Sequence, residues 1–189
     1  MKSSITSLPQ RVERSVRFAL VYSLVILLWV MDVISLGVPE FQTLKPSFFL
    51  VALFYWSIYR PTLLPSWLVF LAGLVLDLIT GLPVGLNAFL FVIIQRILID
   101  QRLTFTGQPF TTVFFGYLIV SSLYYAIQWG IFGLVQQGFI DIHFVAGRII
   151  MANIFFPVFY LLTHITHKVL PYEKRSEAGG IGKLTALRR

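Results

Sequence analysis

The sequence predicts an all-α integral membrane protein, a bundle of about six transmembrane helices with both termini in the cytoplasm. Hydrophobic residues make up 57% of the 189 residues and charged residues only 12%, whereas soluble domains have roughly 45–50% and 25%. Apolar segments of near-membrane length recur along the chain, and basic residues gather at alternate connections. We therefore divide the chain into a cytoplasmic basic N-terminus (1–16), a six-span transmembrane domain (17–170) and a cytoplasmic basic tail (171–189).

The first apolar segment follows a basic stretch, as the apolar part of a signal peptide does. Several Lys and Arg residues precede the apolar run from Phe18 to Met31. No small-residue cleavage site of the signal-peptide type follows this run. Instead Asp32 and the residues up to Pro39 extend it, which predicts an uncleaved first span.

The remaining apolar segments complete a series of six. A helix needs around 20 residues to cross a hydrocarbon core of about 30 Å. The second segment is short, because residues Pro46 to Tyr59 would reach only about 21 Å as a helix. Segments two and three could therefore form a re-entrant hairpin instead of two spans, and the sequence leaves both arrangements open. The six segments are 17–38, 46–59, 63–80, 84–99, 110–135 and 145–169.

The distribution of basic residues predicts the orientation of this layout. Cytoplasmic connections of membrane proteins are enriched in Lys and Arg. Six spans with the N-terminus inside place every Lys and Arg on the cytoplasmic side except Lys45 and Arg148. We therefore expect both termini on the cytoplasmic side of the membrane.

Composition and motifs argue against a nucleic-acid-binding or catalytic protein. The net charge is +7, but the basic residues do not form the clustered face that nucleic acids require. The chain has no cysteine, so thiolate and disulfide chemistry is excluded. His164 and His167 share a helix face without a third metal ligand nearby, and hydrolase and phosphate-loop motifs are missing. We predict no catalytic residue, no cofactor and no metal site.

Asp77 is the most unusual residue of the predicted spans. An Asp at the centre of a membrane helix costs about 2.5–3.5 kcal/mol, and the cost falls toward the helix end, where Asp77 lies. One interpretation is that its carboxylate caps the following turn through the backbone of Thr80 and Gly81. The other is that it is a buried polar anchor, which faces neighbouring helices or a partner protein.

The residues after Asp77 predict a tight turn before the fourth span. Gly81 and Gly85 have the spacing of a helix-dimer motif, but Pro83 lies between them, which favours a turn. Asn87 would then lie in the first turn of the fourth span, where it could bond across helices. We expect the same of Gln128 and Asn153 in the last two spans.

Aromatic residues near the predicted span ends are typical of an interfacial belt. Rings with an apolar body and a polar tip favour the level of the lipid head groups. The residues concerned are Trp56, Tyr59, Trp67, Tyr117 and Tyr172.

The middle of the chain resembles the bacterial rod shape-determining protein MreD family. The resemblance covers mainly residues 45 to 100 and rests on motifs in a fixed order. These are Lys45-Pro46, Phe54-Tyr55-Trp56, Arg60-Pro61, Gly73-Leu74-Val75-Leu76-Asp77-Leu78 and Gly81-x-Pro83-Val84-Gly85-x-Asn87-Ala88. The residues that we select as a candidate structural or partner-binding motif are Tyr55, Trp56, Pro61, Gly73, Asp77, Gly81, Pro83, Gly85 and Asn87.

The resemblance implies a non-enzymatic scaffold subunit of the bacterial cell-elongation complex, the elongasome, which crosses the cell inner membrane several times. Proteins of this family pair with MreC and, directly or through it, with MreB, RodA and the transpeptidase partner of RodA. Peptidoglycan synthesis is thereby directed along the side wall. Short loops leave little soluble surface, so we expect recognition within the membrane, among helices and lipids.

A second interpretation is the substrate-binding subunit of a small-molecule transporter of the vitamin type. Six helices with a polar outer turn also resemble such subunits. A ligand site would need several converging polar groups, and the candidates are Asp32, Asp77, Asn87, Gln128 and Asn153. A proton relay through Asp32 and Asp77 would suit a carrier, but we find neither an inverted repeat nor paired broken helices.

Overall fold

The computed structural model describes residues 7–34, 45–136 and 141–169, and within these ranges it is all-helical. The predicted all-α class is confirmed there. A short 3₁₀ helix, Pro61–Leu63, joins the second and third α-helices. The tail 171–189, with Tyr172, lies outside the described residues. The α-helices are α1 (Ser7–Val33), α2 (Phe48–Tyr59), α3 (Ser66–Thr80), α4 (Leu86–Phe105), α5 (Phe110–Gln136) and α6 (Ile142–Val169).

Each predicted segment corresponds to one helix, but two helices extend well beyond the predicted bounds. α1 begins at Ser7, before the predicted span, and α4 continues to Phe105, past the predicted end at 99. Both extensions contain charged residues that are good helix formers. Hydropathy shows where apolar sequence ends, whereas backbone hydrogen bonding continues into the polar flank.

Among the residues that the structure describes, two helices are long and apolar enough to cross a membrane, judged by length and composition. They contain the windows Phe110–Val135 of α5 and Ile142–Thr166 of α6, with 26 and 25 residues. The apolar part of α1, together with α2 and α3, forms shorter apolar helices. α2 has 12 residues and is therefore only about 18 Å long.

α2 is the central helix of the bundle. It packs against α1, α4 and α6, and all of its side chains from Phe49 to Ile58 are buried. A helix that is apolar all round is typically buried on every side. Aromatic rings extend this core outward, as the Phe54 ring lies 5.4 Å from that of Tyr117, which stacks on Phe156 at 4.1 Å.

The interpretation of two aromatic residues as interface anchors is wrong. Trp56 and Tyr117 are completely buried in the core, because other helices surround α2 and the inner face of α5 packs near it. Trp67, by contrast, is 65% exposed at the start of α3. Proximity to a predicted span end does not show whether a ring faces lipid or a neighbouring helix.

The connection between α2 and α3 is held by two other helices. The Tyr22 hydroxyl of α1 donates to the Leu63 carbonyl at 2.9 Å, and Gln95 Nε2 of α4 donates to the Leu64 carbonyl at 2.6 Å. α3 itself packs against α4 and α1. α2 and α3 thus both pack against α1 and α4 more than against each other, which argues against a packed hairpin of these two segments.

Candidate functional site

The capped end of the bundle, as we name it, is the end where α1 and α3 finish and α2 and α4 begin. Asp77 lies there in the last turn of α3 and is fully buried. Its carboxylate accepts hydrogen bonds from the backbone amides of Gly85 (3.0 Å), Asn87 (3.0 Å) and Ala88 (3.4 Å). These amides belong to the start of α4, where N–H groups lack partners within the helix and a negative charge is favourable. Asp77 therefore caps α4 from the neighbouring helix.

This geometry combines features of both sequence interpretations of Asp77. The side chain is a cap, but its donors are the amides of α4 and not the backbone of Thr80 and Gly81. The Thr80 hydroxyl donates instead to the Leu76 carbonyl at 2.7 Å. Asp77 is also buried and faces a neighbouring helix, as expected of an anchor. Its role toward a partner protein stays a prediction.

The predicted turn between α3 and α4 is present. Gly81 ends α3 with φ +69° and Gly85 precedes α4 with φ +96°, a backbone conformation that glycine adopts without strain. A third glycine, Gly73, lets the two helices approach closely. A Cβ atom added to Gly73 would lie 2.6 Å from the Cα atom of Ala88. The turn and the close approach together bring the α4 amides to Asp77.

Asp32 makes a second cap of the same kind, which the sequence analysis missed. Its carboxylate accepts hydrogen bonds from the Phe48 amide (2.7 Å), the Phe49 amide (2.9 Å) and the Ser47 hydroxyl (2.9 Å). The last turn of α1 thus caps α2 as the last turn of α3 caps α4. A sequence signal exists, since Asp32-Val33-Ile34-Ser35 is similar to Asp77-Leu78-Ile79-Thr80.

A buried polar network joins α4 to α5 beside the Asp77 cap. The Oδ1 atom of Asn87 accepts hydrogen bonds from the Tyr124 hydroxyl (2.7 Å) and from Gln128 Nε2 (3.1 Å). Asn153 of α6 donates to the Ser121 hydroxyl of α5 at 3.2 Å. The interhelical hydrogen bonds predicted for Asn87, Gln128 and Asn153 are therefore confirmed.

A cavity of about 460 Å³ lies at the capped end. Its volume is within the range of small-molecule sites, about 300–1,000 Å³. Lys45 Nζ donates to the backbone carbonyls of Asp32 (2.8 Å) and Ile34 (2.7 Å). Burial lowers the pKa of Lys45, and the nearby Asp32 carboxylate raises it in part. The polar lining consists of Asp32, Lys45, Ser47, Thr80, Asn87, Tyr124, Tyr125, Gln128 and Arg148.

The candidate motif does not form one site. Asp77, Gly81, Pro83, Gly85 and Asn87 lie together at the capped end, and Gly73 lies deeper between α3 and α4.

The other three candidates, Tyr55, Trp56 and Pro61, lie toward or beyond the opposite end of α2. There the Tyr55 hydroxyl is 3.3 Å from His164 Nδ1. Among residues 7–34, 45–136 and 141–169, no cluster of three potential metal ligands is found.

The comparison with known families agrees with the resemblance. A family model described as rod shape-determining protein MreD matches residues 12–166 of the chain. The match extends beyond residues 45 to 100 and includes most of α1, all of α5 and most of α6. No curated protein and no solved structure matches the chain.

Proposed function

The chain belongs to the MreD family of rod shape-determining proteins, and from this membership we propose that it is a non-enzymatic scaffold of the cell-elongation complex. In this proposal the protein pairs with MreC in the bacterial inner membrane. Through MreC, or directly, it engages MreB, RodA and the transpeptidase partner of RodA. Its role is to help direct peptidoglycan synthesis along the side wall and so to maintain rod shape. The family match is the observation that carries the proposal.

The surface of the protein supports recognition within the membrane. Large apolar side chains are exposed on every helix except α2, as with Ile26, Leu78, Ile93, Ile119 and Ile154. The apolar window of α6 is only 11% buried. Such a surface suits lipid and the helices of partners, since helix association in membranes depends on close packing and a few polar bonds.

The interior supports a structural role over a catalytic one. Asp32, Asp77, Asn87 and Gln128 all form hydrogen bonds within the protein. These bonds fix the order and spacing of the helices. A bundle whose helices are joined in this way can present a constant surface to partner helices, which is what a scaffold requires.

Affinity capture tests the proposal most directly. The tagged protein is extracted in mild detergent from its native cells, and the bound proteins are identified by mass spectrometry. We expect MreC together with other elongation proteins. An unrelated membrane protein with the same tag, expressed at the same level, controls for detergent carry-over. Capture without MreC, together with normal rod shape after depletion of this protein, would contradict the scaffold function.

The cavity at the capped end supports a second candidate function, the substrate-binding subunit of a vitamin-type transporter. Of the five polar residues proposed for such a site, Asp32, Asn87 and Gln128 line the cavity. The same capture experiment distinguishes the two functions. Recovery of an ATPase and a coupling membrane subunit would favour the transporter, whereas recovery of MreC favours the scaffold.

A further inference from the structure

Two basic residues, Lys45 and Arg148, depart from the predicted charge pattern, and both of them line the same cavity. Only Lys45 and Arg148 lie on the outer side in the six-span orientation. They come from distant parts of the chain, the connection before α2 and the second turn of α6, yet both line the cavity at the capped end. Orientation in the membrane does not require either residue there, so their meeting needs another explanation.

The charge of Lys45 is not used in a direct bond to the neighbouring carboxylate. Two of the three N–H groups of an ammonium are accounted for by the carbonyls of Asp32 and Ile34. The carboxylate of Asp32 is instead engaged by the start of α2. Among the described residues, the lining thus combines two cations, Lys45 and Arg148, with one carboxylate, Asp32, which already accepts hydrogen bonds from the amides of α2. Two cations beside one carboxylate favour an anionic ligand.

An apolar cavity adjoins the polar one. It has a volume of about 280 Å³ and shares Gln128 and Arg148 with the first cavity. The rest of its wall is largely apolar and includes Trp129, Phe132 and Phe144, from α5 and α6. A charged compartment that continues into an aromatic one is complementary to a molecule with an anionic head and an apolar tail.

We propose that the two cavities form one binding site for an anionic amphiphile that carries a phosphate head group. The phosphate contacts Lys45 and Arg148, because guanidinium and ammonium groups form strong charge-assisted hydrogen bonds with phosphate oxygens. The tail lies along Trp129, Phe132 and Phe144 between α5 and α6. In the six-span orientation this site is in the outer leaflet, so the ligand reaches it from the lipid phase. This proposal goes beyond the scaffold function and does not depend on it.

The first experiment compares ligands that carry the head group, the tail or both. Native mass spectrometry of the full-length protein in detergent measures the retention of phosphatidylglycerol and of diacylglycerol with the same acyl chains. Inorganic phosphate is added as a competitor. We expect phosphatidylglycerol to bind at least about tenfold more tightly than either of the others. Equal retention of diacylglycerol, or equal potency of inorganic phosphate, would overturn the proposal, because one half of the site would then contribute nothing.

Charge variants test the polar compartment. Arg148→Gln and Lys45→Gln should each weaken the binding of phosphatidylglycerol by about tenfold, and Arg148→Lys should retain most of it. Arg96→Gln is the matched control, since the Arg96 side chain is 75% exposed and lines neither cavity. Gel filtration and thermal unfolding show that each variant is folded. Unchanged binding in both cavity variants, or an equal loss in Arg96→Gln, would overturn the assignment.

A pair of phenylalanines on α6 tests the apolar compartment. Phe144 lines the cavity and is 41% exposed, while Phe155 does not line it and is 40% exposed. Phe144→Ala should weaken phosphatidylglycerol binding several-fold and leave competition by inorganic phosphate unchanged. Phe155→Ala should alter neither. An equal effect of the two substitutions would place the tail elsewhere and contradict this part of the proposal.

Discussion

Asp77 is a buried carboxylate whose partners are backbone amides of the next helix. Asp77→Ala removes the acceptor of three amides, and we expect a loss of about 2 kcal/mol in unfolding free energy, the upper part of the range for caps. Asp77→Asn keeps one acceptor oxygen and should lose less. Thermal unfolding of the purified protein in detergent measures both. Asp100→Ala is the matched control, because the Asp100 side chain is 59% exposed; a similar loss there would contradict the capping role.

An experiment in cells distinguishes the capping role of Asp77 from a role in partner binding. If Asp77 anchors a partner, cells with Asp77→Asn should lose rod shape and capture of MreC while the protein level stays normal. Immunoblotting, microscopy and affinity capture give the three readouts. Normal protein level and normal rod shape with Asp77→Ala would contradict the anchor hypothesis.

Gly73 sets the distance between α3 and α4. Its added methyl group would lie 2.6 Å from Ala88 Cα and 2.7 Å from Ala88 N, and these are backbone atoms that cannot rotate away. We expect Gly73→Ala to destabilise the protein by about 1–3 kcal/mol, as overpacking does. Gly130→Ala provides the control, because no described residue outside the local backbone of its own helix lies within 4 Å of the added Cβ. It should be neutral or slightly stabilising through helix propensity, by at most about 1 kcal/mol, and equal effects in thermal unfolding would refute this explanation.

Single residues differ in how far the sequence alone predicts their roles. Asp77 and the turn glycines stand out because charge is costly in apolar sequence and because Gly and Pro mark turns locally. Asp32 was not predicted as a cap, since its amide partners on α2 lie beyond a connection of unknown path. Trp56 was assigned to the interface, because position along a span does not reveal which helices surround it.

At the scale of elements, α2 shows how a short helix can be the core of a membrane bundle. The predicted segment from Pro46 to Tyr59, about 21 Å long as a helix, made a full span doubtful, and the helix itself is shorter still, about 18 Å. Its side chains from Phe49 to Ile58 are nevertheless all buried, and both of its ends are held by other helices, through Asp32 at the start and Tyr22 beyond the end. An apolar sequence without a polar face predicted burial but could not distinguish lipid from protein as the surroundings.

The network between α4 and α5 should behave as one energetic unit. Asn87 and Gln128 share a hydrogen bond of 3.1 Å and both bond to the Tyr124 hydroxyl. A double-mutant cycle of Asn87→Ala and Gln128→Ala should give a coupling energy of about 1 kcal/mol in thermal unfolding. The control cycle pairs Asn87→Ala with Asn153→Ala, because the Asn153 side chain donates hydrogen bonds to different residues, Ser121 and Ile149. Those two effects should add within about 0.5 kcal/mol, and equal coupling in both cycles would contradict a specific network.

For the described part of the molecule, hydropathy and turn residues predicted the number and order of the α-helices but not their arrangement. The central place of α2 and the pairing of α3 with α4 follow from side-chain packing, for which apolar periodicity carries little information in helices that are apolar on most faces. The cavity likewise depends on residues from five separate helices, from the connection before α2 and from the turn between α3 and α4. The sequence signal for this cavity was the positive charge of two of its lining residues, Lys45 and Arg148.

The orientation of the whole molecule can be tested because the chain has no cysteine. Gln108 is exposed in the connection between α4 and α5, and Asp141 is the exposed residue directly before α6. The variants Gln108→Cys and Asp141→Cys each introduce a single cysteine at one of these positions. Six spans with the N-terminus inside place position 108 in the cytoplasm and position 141 outside. A membrane-impermeant maleimide should therefore label Asp141→Cys in intact spheroplasts and Gln108→Cys only after permeabilisation. The opposite pattern would mean that the bundle is inverted, with the capped end and its cavity at the cytoplasmic face. Labelling of both positions in intact spheroplasts would mean that α5 does not cross the membrane.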